Sequence, residues 1–229
     1  MKKPELMENI GIVVPAWNEG RDINLVLDAL GPIEWPKQVV IVDDGSTDNT
    51  LEVAQQYAAK FPAMMVISLL QNQGKASAML AGIQALPSDV DTVVFLDADL
   101  SGLTEDHLQL LIEPIETNQC EMSVAIFKDG YWRTDLSQRF APNLNGQRCL
   151  PRYAAERALK PLANSGYGVE IGLTLYARRE NWRIQYIDWT GMTHDIKEHK
   201  LGQMEGYRVR VLMYRQILAT WIREWKRDN

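Results

Sequence analysis

The chain has 229 residues, 46% of them hydrophobic and 24% charged, and its formal net charge is -6. This length suits one substantial α/β domain, and the acidic balance argues against a general nucleic-acid binder. No segment approaches the roughly 18 apolar residues of a membrane-spanning helix, and the first nine residues lack an apolar stretch of signal-peptide length. We therefore expect a single-domain cytoplasmic protein.

Short apolar segments alternate with longer amphipathic segments over the first 130 residues. Such alternation predicts buried parallel strands joined by helices, in a doubly wound, mostly parallel sheet of the α/β class. The predicted strands cover residues 10–14, 39–42, 65–69, 93–96 and 122–127. The predicted helices include residues 23–30, 48–60, 76–86 and 105–116.

A polar segment, Pro15-Ala16-Trp17-Asn18-Glu19, follows the first predicted strand. It lies at the carboxyl end of that strand, where open parallel sheets bind their ligands. The alternative is a simple helix-start turn, with Asn18 as the N-cap and Glu19 in the first turn, where the helix dipole favours an acid.

Two consecutive acids, Asp43 and Asp44, follow the second predicted strand, and Gly45 permits a tight turn after them. At least one carboxylate could accept hydrogen bonds from a base or a ribose, and Asp43 is the better candidate. The alternative, that the acids only organise the turn, fits Asp44 better. Either Ser46 or Thr47 could cap the helix that follows.

Gly74 and Lys75 precede the third predicted helix. A glycine lets the backbone approach a ligand closely, and a lysine at a helix start lies where the helix dipole disfavours a cation. Lys75 is therefore a candidate for binding an anion such as a phosphate. The alternative is an ordinary solvated surface lysine.

The fourth predicted strand ends in Asp97-Ala98-Asp99. If the extended conformation continued, alternation would point both carboxylates to the same side, where they could hold a hard divalent cation through oxygen ligands. The alternative is that Asp99 only caps the helix that begins near Thr104.

The second half of the chain is less regular. Residues 129–151 have no sustained period and predict a long functional loop. Helices are expected at residues 153–163 and through Ala177, a strand at 183–187 and a long helix at 205–225. Four arginines of the loop region could bind a phosphate or carboxylate of an acceptor, or could simply be solvated or paired within the loop. These are Arg133, Arg139, Arg148 and Arg152.

The long last helix combines aromatic and cationic residues, as helices at membrane surfaces do. Its tryptophans are Trp221 and Trp225, and Arg215, Arg223 and Lys226 supply the cations. Peripheral membrane contact is the less favoured interpretation, because such a pattern more often belongs to a helix that packs on the core or forms a homodimer.

Taken in order, the four strand-end motifs resemble the nucleotide-sugar half of a family 2 glycosyltransferase with the GT-A fold. In that family the first two motifs surround the base and ribose, the lysine lies near the ribose or phosphates, and the last acid binds Mn²⁺ or Mg²⁺. The resemblance covers roughly residues 1–128 and leaves 129–229 as the acceptor half. It implies a donor site formed by Pro15, Ala16, Asn18, Glu19, Asp43, Gly74, Lys75, Asp97 and Ala98.

The segment Gly168-Val169-Glu170 resembles the family's Glu-Asp segment, with Val169 in place of the first acid. The second acid is the base in inverting members, so the resemblance makes Glu170 a catalytic candidate beside Lys75 and Asp99. The segment from Gly146-Gln147-Arg148 onward looks closer to glucosyl-3-phosphoglycerate synthases, which retain configuration. In those enzymes a histidine at the position of His194 completes the metal site, which implies Asp97, Asp99 and His194 as metal ligands.

The resemblance implies a metal-dependent glycosyltransferase that moves a hexose from a UDP- or GDP-sugar to a hydroxyl acceptor, such as a small phosphorylated or carboxylated molecule. Glu170 would be the general base if transfer inverts configuration, and would orient acceptor or sugar if transfer retains it. The alternatives are a polyprenyl-phosphate glycosyltransferase at the membrane surface, and a nucleotidyltransferase or nucleotide-binding domain without transferase activity.

Overall fold

The computed structural model describes residues 9–127, 145–163, 168–191 and 193–194. The strands are β1 (Ile10–Ala16), β2 (Gln38–Asp43), β3 (Met64–Ser68), β4 (Thr92–Phe95), β5 (Leu100–Ser101), β6 (Met122–Phe127), β7 (Arg148–Pro151), β8 (Ile184–Trp189) and β9 (Thr193–His194). The helices are α1 (Ile23–Leu30), α2 (Thr50–Lys60), α3 (Lys75–Ala85), α4 (Glu105–Glu116), α5 (Arg152–Leu159) and α6 (Val169–Arg179).

Seven strands form one sheet in the order β3-β2-β1-β4-β7-β6-β8. All neighbouring pairs are parallel except those of β7, which runs antiparallel to both β4 and β6. The predicted α/β class and mostly parallel doubly wound sheet are confirmed. The carboxyl ends of β1, β2 and β4 consequently meet at one edge, so that Ala16 lies opposite Asp43 in the ladder.

The central strands β1, β2 and β4 are buried on both faces because they are nearly continuous apolar runs, whereas the edge strands β3 and β8 are partly exposed. Alternate residues of β1 enter opposite layers: Ile12 and Val14 pack with residues of α1 and α4, while Val13 packs with residues of α3, α5 and α6. This packing fixes the strands, and the polar segments that follow them are fixed in turn at the carboxyl edge.

Strand β7 corrects the expectation of a loop over residues 129–151. Arg148–Pro151 pairs with β4 on one side and β6 on the other, so its backbone polar groups are satisfied within the sheet. Because β7 is antiparallel, its first residue, Arg148, lies opposite Phe95, the last residue of β4. The chain therefore enters β7 at the same edge where β4 ends. Residues 128–144, with Arg133 and Arg139, lie outside the described residues.

Three helix starts exclude the simple capping alternatives. The N-cap of α1 is Asp22, so Asn18 does not cap it. Helix α2 begins at Thr50 after Asn49, so neither Ser46 nor Thr47 occupies its N-cap.

Helix α4 is capped by Thr104, whose hydroxyl accepts from the His107 backbone while the His107 ring accepts from the Thr104 backbone. This reciprocal capping box leaves no capping role there for Asp99.

The predicted helix at 205–225 also lies outside the described residues, so its proposed packing, dimer or membrane roles stay predictions. In the part of the chain that the structure describes, no helix has both the length and the apolar character needed to cross a membrane. Strands β5 and β9 form a separate two-stranded ladder in which Leu100 pairs with His194.

Candidate active site at the carboxyl edge of the sheet

The first two strand-end loops are tied together by backbone and side-chain hydrogen bonds. Asn18 has a left-handed backbone, with φ of 54°, which points its amide groups across to the loop after β2. Its backbone N–H donates to Ser46 Oγ at 2.9 Å, and its side-chain oxygen accepts from the Thr47 N–H at 2.8 Å. The backbone N–H of Glu19 donates to Thr50 Oγ1 at 2.9 Å. Pro15 and Ala16, the last residues of β1, are buried directly before this junction.

The two acids after β2 hold different loops. Asp44 accepts the backbone N–H groups of Gln73 and Gly74, both at 2.8 Å, so it shapes the approach to α3. Burial raises the pKa of Asp44, although these two hydrogen bonds act in the opposite direction. Asp43 accepts from Ser68 Oγ at 3.1 Å and from the Ser46 N–H at 3.2 Å. Each Asp43 oxygen thus already has one donor, and each retains capacity for a second.

Gly45 and Gly74 permit the close approach of the second and third loops. Gly45 has φ of 65°, and a Cβ there would lie 2.4 Å from the carbonyl carbon of Gln71. Gly74 has φ of 90° and directly precedes Lys75, the first residue of α3. A side chain at either position would be strained, and at Gly45 it would also separate the loops.

Lys75 lies at the centre of the site. Its Nζ donates to Asp97 Oδ1 and to Glu170 Oε1, each at 2.5 Å. The lysine comes from the start of α3, Asp97 from the segment after β4, and Glu170 from the first turn of α6. Three residues that the sequence singled out separately are therefore brought together, and the interpretation of Lys75 as a solvated lysine is wrong.

The electrostatics of this cluster keep Lys75 charged. Burial alone would lower the pKa of Lys75, but the carboxylates of Asp97 and Glu170 outweigh it and raise that pKa above its ordinary value. One cation between two carboxylates leaves the cluster with a net charge of about -1 when all three are ionised. The Lys75 side chain is still 30% exposed, so part of it faces solvent at the edge of the sheet.

Two residues that sequence reasoning gave no role support Asp97. Gln147 Nε2 donates to Asp97 Oδ2 at 2.7 Å, and the Gln147 side chain is fully buried. A Cβ on Gly146 would lie 2.3 Å and 2.5 Å from the two Asp97 carboxylate oxygens, so the Gly146 backbone packs directly against that group. The only signal for them in the sequence was the Gly-Gln-Arg resemblance, because 50 residues separate Gln147 from Asp97.

Arg148 serves the interior and not an acceptor, which corrects the loop prediction for it. Its guanidinium is fully buried and donates to Thr174 Oγ1 at 2.8 Å and to the Asn145 carbonyl at 3.0 Å. Burial lowers the pKa of Arg148 to about 10, against the opposing effect of Glu170, Tyr186 and Asp97. Since Thr174 lies on α6 one turn after Glu170, Arg148 links β7 to the helix that carries Glu170.

Arg152 is also structural. Its guanidinium donates to the backbone carbonyls that end α3 and begin the next connection. These are the carbonyls of Ile83, Leu86, Pro87 and Val90, at 2.6 to 3.4 Å. The Ile83 and Pro87 carbonyls also accept the backbone N–H groups of Leu86 and Val90, so Arg152 adds a second donor there and ties the end of α3 to the start of α5.

Asp99 lies close to the same edge, in a different geometry from the expected one. Strand β4 ends at Phe95, and Ala98 and Asp99 form a turn, so strict strand alternation does not apply to Asp97 and Asp99. The reason is that β5 begins at Leu100 and pairs with β9, which redirects the chain. Asp99 is 8% exposed, and its next residue is paired with His194 through the backbone.

The described residues contain no cluster of three His, Cys, Asp or Glu side chains positioned to hold a metal ion. The side chain of His194 lies outside what the structure describes, so the predicted set of Asp97, Asp99 and His194 stays a prediction. What the described residues offer is two acids, separated by one residue, at the edge where the strands end.

The comparison with protein families decides the assignment. The model of glycosyl transferase family 2 matches residues 11–164, which is more than half of the chain and includes every strand-end motif. The chain belongs to glycosyl transferase family 2. The match ends before Glu170, so the position of Glu170 in the site rests on the geometry alone.

Among curated family members, the undecaprenyl-phosphate mannosyltransferase of Micrococcus luteus is 26% identical over 210 residues, which is 83% of this chain and 86% of that protein. The undecaprenyl-phosphate 4-deoxy-4-formamido-L-arabinose transferase of Serratia proteamaculans is 32% identical over 112 residues, or 46% of this chain. The alignment spans only 33% of the length of that transferase.

Among solved structures, glucosyl-3-phosphoglycerate synthase from Mycobacterium tuberculosis, in complex with Mn²⁺, uridine diphosphate and phosphoglyceric acid, superposes with a TM-score of 0.70. The superposition covers 96% of this chain and 81% of that one, at 23% identity. A likeness at this identity establishes the shared fold, and it confirms the GT-A architecture that the motifs implied.

Proposed function

We propose that this protein is a metal-dependent glycosyltransferase that moves a hexose from a UDP- or GDP-sugar to an acceptor. The observation that carries the proposal is the ion-paired cluster of Lys75, Asp97 and Glu170 at the carboxyl edge of a family 2 domain. Transfer breaks a glycosyl-phosphate bond, and negative charge gathers on the departing nucleoside diphosphate. Lys75 stays protonated because its pKa is raised, and its partly exposed side chain could stabilise such an anion.

The residues after β4 are suited to binding a divalent cation. Carboxylate oxygens coordinate Mg²⁺ and Mn²⁺, and Mg²⁺ is usually bound by one or two carboxylates together with substrate phosphates. Asp99, with Asp97 two residues before it, could supply these carboxylates, and His194 is a further candidate ligand. When bound there, the cation would neutralise charge on the diphosphate as a Lewis acid.

The donor nucleotide has a natural place along the first two loops. The bonds that join Asn18 to Ser46 and Thr47 make one continuous rim, and Asp43 forms its floor. Both Asp43 oxygens retain acceptor capacity for a base or ribose donor. We assign this rim to the nucleoside and the Lys75 cluster to the diphosphate.

Two acceptor classes fit the family. The first is a small molecule with a hydroxyl group, in line with the structural relative that binds phosphoglyceric acid. The second is a polyprenyl phosphate, in line with relatives named as undecaprenyl-phosphate and dolichyl-phosphate transferases. The chemistry differs, because a hydroxyl nucleophile needs to lose a proton, while a phosphate with a second pKa of about 6 is already ionised at neutral pH.

A transfer assay tests the proposal. Purified protein with Mn²⁺ is incubated with UDP- and GDP-hexoses, and with either phosphoglycerate or undecaprenyl phosphate in detergent. Release of nucleoside diphosphate that depends on both the acceptor and Mn²⁺ is expected for one donor. If folded protein released nucleoside diphosphate with none of the donor-acceptor pairs in the panel, the transferase assignment would be contradicted.

Glu170 distinguishes the two acceptor classes. Glu170→Gln keeps the shape of the side chain but removes its capacity to take a proton. With a hydroxyl acceptor and inversion of configuration, kcat is expected to fall by about 100-fold or more, because general base catalysis contributes on that order. With a phosphate acceptor the loss should be much smaller. Kinetics of the variant with each active acceptor, and the anomeric configuration of the product, decide between them.

A further inference from the structure

We propose that Gln147 is a positioning residue for Asp97, and that nucleoside diphosphate binding depends on the hydrogen bond that its amide donates. This inference deepens the proposed function and rests on it. The two Asp97 oxygens have different kinds of partner: Lys75 donates to Oδ1, and Gln147 donates to Oδ2. Lys75 is a charged group shared with Glu170, whereas Gln147 is neutral.

The two partners also differ in freedom to move. The Lys75 side chain is 30% exposed and ends in a flexible stem, so an incoming phosphate can draw its ammonium away from Asp97. Gln147 is fully buried and cannot follow a ligand. After Lys75 turns to the ligand, Gln147 would still donate to Asp97 Oδ2 and help to hold the carboxylate in its orientation.

The segment around Gln147 is itself held rigidly. The Gln147 carbonyl accepts from the Ala125 N–H at 3.0 Å, and the Asn145 side chain donates to the Ala125 carbonyl at 2.6 Å. The next residue, Arg148, pairs with both β4 and β6. Asp97 follows β4 itself, so the donor and the acceptor of the hydrogen bond are anchored to one sheet.

The neighbouring glycine points to the same role. A Cβ on Gly146 would overlap both oxygens of Asp97, so the Gly146 backbone bounds the carboxylate while Gln147 binds it. The Gln147 Oε1 atom is buried and has no hydrogen-bond partner among the described residues. Burying an acceptor without a partner costs free energy, so the hydrogen bond that Gln147 Nε2 donates to Asp97 is the contact that offsets this cost.

The test compares two substitutions that separate donation from space filling. Gln147→Met nearly keeps the length and volume of the side chain but removes its donor, whereas Gln147→Ala removes both. If Gln147 acts by donating to Asp97, both substitutions should weaken binding by about 10- to 100-fold. If Gln147 only fills space, Gln147→Met should bind as wild type and only Gln147→Ala should be weaker.

Binding is measured by isothermal titration calorimetry with UDP or GDP, each in the presence of Mn²⁺. The matched control is Gln38→Met, which removes an amide hydrogen bond to the Ala63 carbonyl at the far end of β2 and should leave binding unchanged. Gly146→Ala is a second route, because it keeps Gln147 while displacing the Asp97 carboxylate, and it should also weaken binding. In steady-state kinetics the KM for the donor should rise while the KM for the acceptor stays constant.

Wild-type affinity in Gln147→Met, whatever the effect of Gln147→Ala, would overturn this inference and leave the proposed function intact. Wild-type protein that binds neither nucleoside diphosphate would contradict the proposed function, and the inference with it.

Discussion

At the scale of single residues, the site depends on the ion pairs that Lys75 makes with two carboxylates. Lys75 contacts both Asp97 and Glu170. Removing it leaves two carboxylates close together, partly shielded from solvent, and takes away the cation that pairs with both of them directly. Losing one partner of such a group is more damaging than replacing the whole group by apolar residues.

Lys75→Met is therefore expected to lower the free energy of unfolding by about 1 to 3 kcal/mol at pH 8, and to abolish donor binding. The folded-state pKa of Lys75 is raised, so its contribution is fully present below the ordinary pKa of 10.5 and is lost as the pH rises beyond it. The difference from wild type should be constant from pH 7 to 10 and should shrink at higher pH. Urea unfolding across this range measures it.

Lys160→Met is the control for this change, because Lys160 is an exposed lysine of a 3-10 turn. It should leave both stability and donor binding as in wild type. Equal effects of the two substitutions would show that the ion pairs around Lys75 carry no stability.

At the scale of elements, the strand-end segments hold one another in place. Asp48 is an example, since its carboxylate accepts from Gly20 N–H at 3.1 Å and from Thr50 N–H at 3.0 Å. It also accepts from the Thr50 hydroxyl. One side chain thus connects the loop after β1 to the start of α2.

Asp48→Asn should lower stability by about 1 kcal/mol at pH 7, because an amide has one acceptor atom in place of two. Burial acts to raise the pKa of Asp48, but hydrogen bonds from Thr50 and Gly20 outweigh it and lower that pKa. A lowered pKa stabilises the fold above the ordinary value of 3.8, and this stabilisation is lost as the pH falls below it. Thermal unfolding of both proteins from pH 7 to pH 3 should show the difference begin to shrink below about pH 3.8, and a constant difference would contradict this explanation.

Arg152 performs a comparable task at the end of α3. Arg152→Met removes the side-chain donor of four carbonyls, two of which keep a backbone donor, and should destabilise the protein by about 2 to 3 kcal/mol. Arg152→Lys should recover only part of this, because one ammonium cannot span groups that a planar guanidinium reaches. Arg157→Met, at an exposed position of α5, is the control for urea unfolding. A loss of donor affinity in Arg152→Met without loss of stability would instead indicate a binding role.

Sequence patterns predicted the parallel strands β1, β2, β4 and β6 well because each is largely buried and is an apolar run. They did not predict β7, whose four residues include an arginine and a proline, and which gains its place from partners far away in the chain. For the same reason the sequence supplied Lys75, Asp97 and Glu170 as separate candidates. The roles of Gln147, Arg148 and Arg152 depend on contacts across 26 to 69 residues, which no local pattern contains.

At the scale of the whole molecule, one sheet edge collects residues from both halves of the chain. Lys75 and Asp97 come from the half predicted to bind the nucleotide sugar, and Glu170 comes from the half predicted to bind the acceptor. Their contact couples the two halves at the point where transfer would take place. The proposed transferase function therefore requires a nucleoside diphosphate, with a divalent cation, to bind at this edge.

Thermal unfolding with UDP and GDP, each with and without Mn²⁺, tests this requirement most directly. A ligand at about 100 times its dissociation constant should stabilise the wild-type protein by about 2.7 kcal/mol. We expect a Mn²⁺-dependent shift for at least one nucleotide, lost in Asp99→Ala and retained in the control Asp106→Ala, which alters an exposed acid of α4. No shift with either nucleotide, or an equal shift in Asp99→Ala, would contradict it.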